Sequence, residues 1–180
     1  MKKSNKLSKK EIISEILLIM VIGCVLGFIY EELFYRIDYG KWVKRGMSFG
    51  PIVPIYGLGT VGMLFINKKF NKHPILVFLM SALVAFIVEY SIGWILLNIF
   101  NTRLWDYNTE MLNFGNINGF VCFRSIGLFA LAGLALEYLV KPFVHKFYVK
   151  ENNKLVVNMG IILGSITIID IICSFFIKFL

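Results

Sequence analysis

The chain has 180 residues, 58% of them hydrophobic and 17% charged, and its mean hydropathy of +0.74 lies well above the range of a soluble domain. The apolar residues run in long uncharged stretches rather than amphipathic stripes, which predicts an all-α, polytopic transmembrane bundle; a transmembrane barrel would need alternating segments of about ten residues. The net charge of +8 sits mainly in short connecting segments, where bases act as topology signals and meet anionic headgroups, so it does not indicate nucleic-acid binding.

In chain order, the first ten residues carry Lys2, Lys3, Lys6, Lys9 and Lys10 and no acid. A long apolar run follows with no small-residue cleavage site after it, so it reads as an uncleaved first span over residues 12–30, with a helical extension to Arg36. Gly23 and Gly27 form a small-xxx-small pair that permits close helix approach. The span closes in Tyr30-Glu31-Glu32, and a first loop holds Asp38, Lys41, Lys44 and Arg45. Residues 50–59 combine Pro51 and Pro54 with three glycines. Two lost amide donors and two fixed φ angles disfavour a helix before Pro54. In lipid, irregular backbone survives only under protein or in a water-filled cavity, which predicts a broken or re-entrant opening to a second span over 54–66.

A basic turn with Lys68, Lys69 and Lys72 precedes a third span over 75–97, which carries Glu89. The next connection opens with Trp105-Asp106-Tyr107 and passes through the amide-rich run 113–119. A fourth span is expected over 117–140 with Arg124 in its first third. Lys141, Lys146, Lys150 and Lys154 form a second basic segment before a fifth span over 155–177 containing Asp170. The whole chain, 1–180, reads as one membrane domain of about five spans. Cys24, Cys122 and Cys173 fall in apolar spans without metal-like spacing and read as buried filler. No cofactor or metal site is expected.

The N-terminus, the 67–73 turn and the 141–154 segment hold most of the connecting bases and alternate to one side, so the positive-inside rule places the N-terminus in the cytoplasm of a multi-pass cell-membrane protein. At 1.5 Å per helical residue, Glu89, Arg124 and Asp170 then lie about 10 to 13 Å from the outer ends of their spans. Glu31 and Glu32 sit at the outer end of the first. An ionisable group in lipid is costly and needs a partner, so Glu89 and Arg124 are expected to face each other. They form either the charged wall of a binding cavity or a structural ion pair that fixes helix register. A proton or cation relay through Glu31, Glu89 and Asp170 is a third option. Trp105 and Asp106 belong either to a lid over that cavity or to an interfacial anchor and turn; Tyr56 and Tyr90 either line the cavity or pack. Ser125 reads as a packing hydroxyl, and His73 and His145 as loop residues on the basic side. The chain has no H-E-x-x-H, no glycine-flanked serine nucleophile and no phosphate-binding G-x-x-x-x-G-K-[ST].

Gly27-Phe28-Ile29-Tyr30-Glu31, Arg45-Gly46 with 50–59, Glu89-Tyr90 with Gly93, and Leu104-Trp105-Asp106-Tyr107 followed by Asn113-Phe114 and 119–125 together resemble one bacterial family, the small multi-span ABC-transporter type IV permeases. These motifs cover about residues 20–130. The resemblance implies an integral transport component; it carries no catalytic residues. A chain this small would need self-association or a separate ATPase subunit, with 67–73 and 141–154 as the candidate docking surfaces.

The reading that follows is a non-catalytic transport component in contact with membrane lipids. It binds a small polar or lipid-like solute in an outer-half cavity through Glu31, Tyr56, Glu89, Tyr90, Trp105, Asp106, Arg124 and Asp170. The alternatives are an intramembrane enzyme on lipid headgroups, with Glu31, Glu89 or Asp106 as acid or base, and an accessory membrane protein whose buried ions only fix packing.

Overall fold

The computed structural model describes residues 7–43, 45–150 and 153–179, all-helical apart from connecting loops. Lys2, Lys3, Lys6 and Lys44 lie outside the described residues. Helix α1 (Lys9–Tyr39) starts at a capping box, in which the Glu11 amide donates to Ser8 Oγ and the Ser8 amide to Glu11 Oε2, and stops at Gly40 with φ +68°. Its 31 residues span roughly 46 Å, against about 30 Å of hydrocarbon. The first predicted span therefore extends at both ends, and its C-terminal surplus carries the polar run from Glu31 to Tyr39.

Residues 46–53 are not helical, as the prolines and glycines predict. They fold back into the bundle until the Val53 amide donates to the Cys24 carbonyl at 3.2 Å, midway along α1. Asp170 holds this dip in place: its carboxylate accepts the Phe49 amide at 2.9 Å and the Gly50 amide at 2.8 Å. Helix α2 (Pro54–Asn67) starts at that depth with Pro54 in its first turn, where no amide is missed. Its 14 residues cover only about 21 Å, so the dipping segment supplies the rest of the crossing. The α1–α2 packing uses the glycine pair. A Cβ on Gly27 would lie 2.1 Å from the Tyr56 ring, so only glycine lets that ring come so close to α1.

Helix α3 (Pro74–Asn98) returns through the bundle and packs antiparallel on α4 (Phe123–Ala135), with Ser81 against Gly133 and Glu89 against Ser125. Helix α4 does not begin at 117. Asn118 and Gly119 have φ of +56° and +75°, and Ile117 pairs with Val121 in an isolated antiparallel bridge, so the chain stays non-helical until Cys122. Arg124 is therefore the second residue of its helix, beneath the loop, rather than several residues deep. After one π turn (Leu136–Val140) the helix continues as α5 (Lys141–Tyr148), so the second basic segment is largely helical and His145 is a helix residue, its Nδ1 2.8 Å from Glu15. Helix α6 (Lys154–Phe179) runs parallel to α1, joined by Ser14, whose hydroxyl donates to the Val157 carbonyl and meets the Tyr148 hydroxyl. Of the three free cysteines, Cys24 and Cys122 are buried, whereas Cys173 is exposed.

The hydrophobic core, with Ile19, Met63, Ala85, Phe129, Leu136 and Tyr148 among its members, fills the half of the bundle nearest the start of α1. Toward the end of α1 the packing opens around a cavity that reaches back to this core.

Candidate functional site

A cavity of about 570 Å³ lies between α1, the 46–56 segment, α3, α4 and the loop from Leu104 to Glu110, and its floor is formed by the core residues Ile19, Met63 and Leu136. Most of its wall is apolar. Its polar lining comes from three carboxylates (Glu31, Glu89, Glu110), two guanidiniums (Arg45, Arg124) and the hydroxyls of tyrosines and Ser125.

Glu89 is 3% exposed and accepts two hydroxyl hydrogen bonds, from Tyr107 at 2.7 Å and from Ser125 at 2.6 Å. Ser125 thus joins α4 to α3 through its hydroxyl, as a packing hydroxyl does. The Tyr107 phenol is pushed well above its ordinary pKa, first by burial and then by the Glu89 carboxylate, which keeps it a neutral donor. Arg124 does not pair with Glu89 as expected. One terminal nitrogen donates to Glu110 Oε2 at 2.6 Å and the other to the Met111 carbonyl at 2.9 Å. Its guanidinium lies 4.0 Å from the centre of the Phe34 ring. The physical reason is the late start of α4: in the first helical turn, Arg124 reaches up to the acid of the covering loop, while Ser125, one step round the helix, takes the place facing α3.

Arg45 forms the second pair. Its Nε donates to Glu31 at 3.1 Å, its guanidinium sits 3.8 Å from the Tyr35 ring centre, and its amide donates to Glu32 at 3.2 Å. Burial opposes the Arg45 charge, but Glu31 and its neighbours outweigh it and hold the group protonated. Tyr35 also donates to Glu110, so the two arginine–carboxylate pairs are linked through one phenol. Below them Tyr56 stacks on Phe129 at 4.8 Å.

Of the residues singled out in the sequence, Glu31, Tyr56, Glu89, Trp105 and Arg124 line this cavity. Trp105 is fixed by its indole N–H, which donates to the Phe120 carbonyl at 2.9 Å. The other three do not line it. Asp106 pairs with Arg103 at 3.0 Å and closes a turn by accepting the Asn108 amide; it faces a separate, more open recess. Tyr90 packs on Phe120 and accepts from Asn118, and Asp170 braces the dipping segment. Sequence reasoning missed Arg45, Tyr35 and Glu110. Arg45 looked like one more loop base. Glu110 had a signal, being the lone acid between Tyr107 and Phe123 in a stretch of amides.

Four helices (α1, α3, the continuous Phe123–Tyr148 and α6) are long and apolar enough to cross a membrane, and with the buried charge cluster they define a polytopic integral membrane protein. A family model described as Putative ABC-transporter type IV matches residues 18–175, and the chain belongs to that family. The match runs on through α6, beyond the motifs that carried the resemblance. Neither the curated proteins nor the solved structures contain a match to it.

Proposed function

We propose that this chain is a non-catalytic membrane transport component that binds a small polar or lipid-like solute in the cavity. The cavity itself carries the reading: a void of about 570 Å³ with a convergent set of buried charges is what a ligand site needs and what a packed structural bundle lacks. Ionisable groups in a membrane are costly, and a cluster of five, buried or half-buried, beside an unfilled space is better explained by a ligand than by packing. The basic turn at 67–73 and α5 would face the cytoplasm of the cell membrane, with the cavity in the outer half. An ATPase subunit or a second copy would supply what one chain of this size does not.

The test is affinity purification from native membranes in mild detergent, with mass spectrometry of the proteins and lipids retained. Wild type should hold a defined small molecule or lipid. The Ala132→Trp variant should lose it while keeping its membrane level, because Ala132 is an exposed residue of the cavity wall and a large side chain there fills the space without entering the core. Identical retained molecules in both proteins would overturn the reading.

A further inference from the structure

Resting on that reading, we infer that the ligand is an amphiphile with a cationic head, seated against Glu89, and an apolar chain along the cavity wall. The balance of charge is the first ground. Three carboxylates face two guanidiniums, leaving one negative charge in excess. Arg124 is committed to Glu110 and Arg45 to Glu31. Glu89 is the remaining carboxylate, and among the described residues its hydrogen-bond donors are neutral hydroxyls, from Tyr107 and Ser125. Two hydroxyl donors suit an ionised carboxylate, and an ionised carboxylate so deeply buried needs a counter-charge that the protein does not bring into contact with it.

The second ground is the surface around it. Tyr30, Phe34, Tyr56, Trp105 and Tyr107 line the same space. Aromatic faces beside a carboxylate attract an ammonium group through the ring quadrupole as well as the charge. Arg124 already holds Glu110 at 2.6 Å and Arg45 holds Glu31 at 3.1 Å, so an anionic head would compete with a carboxylate at either guanidinium.

The third ground is the apolar wall. Leu26, Leu58 and Leu128 line the cavity, yet are 53%, 55% and 38% exposed. Side chains that open cannot belong to a sealed chamber. They join the cavity to the lipid-facing surface, so a chain of about ten carbons can lie along them while the head stays on Glu89.

The experiment uses the full chain in nanodiscs of zwitterionic lipid, with Trp42 and Trp94 replaced by Phe so that Trp105 is the fluorophore. The probes are 6-bromodecyltrimethylammonium, 6-bromodecan-1-ol and 6-bromodecanoate, whose bromine, close enough to the head, quenches a nearby indole. Quenching should saturate with the ammonium probe at about tenfold lower concentration than with the alcohol, with the carboxylate weakest. Glu89→Gln, which keeps shape and both hydroxyl partners, should bring ammonium and alcohol level. Tyr107→Phe should reduce binding of both without levelling them, and it serves if Glu89→Gln fails to fold. If the probes bind alike in wild type, or if the alcohol or carboxylate leads, the cationic class is wrong while a ligand cavity survives. If no probe saturates, or if Ala132→Trp leaves all three unchanged, the cavity reading itself falls.

Discussion

The Arg124–Glu110 contact gives the sharpest test of how this site is held. Their side chains are 10% and 3% exposed and meet at 2.6 Å, so solvent screens the pair little. Removing one partner strands the other as a buried charge, which costs about 3–5 kcal/mol. Arg124→Met should fall in that range, because Glu110 keeps the Tyr35 hydroxyl but loses its only ion pair among the described residues. Glu110→Met should cost a similar amount, since Arg124 keeps the Met111 carbonyl and the Phe34 ring but not its anion. The double variant strands neither charge, so it should be less destabilised than the sum of the two by about 2 kcal/mol or more. The assay is unfolding in mixed micelles, followed by circular dichroism for the wild type, both single variants and the double. A parallel cycle with Glu89→Gln should show weaker coupling to Arg124, because no hydrogen bond joins them. Additive Arg124 and Glu110 costs, or a stronger coupling to Glu89, would refute the assignment of partners.

Three further outcomes follow from the same geometry. Tyr107→Phe leaves the buried Glu89 with one hydroxyl donor, a loss of about 1–3 kcal/mol that the same unfolding assay should register. Gly27→Ala puts a methyl into the Tyr56 ring; it should cost about 1–3 kcal/mol and displace that ring from Phe129, visible as altered near-ultraviolet circular dichroism. Asp170→Ala frees the Phe49 and Gly50 amides, so a cysteine placed at Met47 should react faster with a thiol reagent than in the parent, whereas one at Asn71, on the opposite connection, should be unaffected.

The class of protein was legible without coordinates, because lipid imposes its constraint locally. Each span must satisfy its own backbone, so a run of apolar residues of the right length already declares itself. The irregular opening before Pro54 was readable for the same reason: prolines and glycines act on the backbone where they stand. So was the gathering of Glu31, Glu89 and Arg124 toward one end of the bundle, although the depth counted for Arg124 was not, because α4 starts at Phe123 rather than at 117. Partner choice was not. Which carboxylate meets Arg124 depended on the residue at which α4 begins, and that was set by positive φ angles at Asn118 and Gly119 rather than by hydropathy. A shift of one residue turns a side chain by about 100°, enough to give Ser125 to Glu89 and to hand Arg124 to Glu110. Asp170 shares a depth with the dip of the first loop, and only the parallel packing of α6 on α1 turned it to that backbone and away from the cavity. Arg45 and Glu110 reach the site from loops, whose paths are fixed by what they fold against. The chain alone therefore determined the apolar helices and which of them carry ionisable groups. Tertiary packing decided which of them face one another, because facing depends on helix rotation and loop course, and neither leaves a periodic trace in sequence.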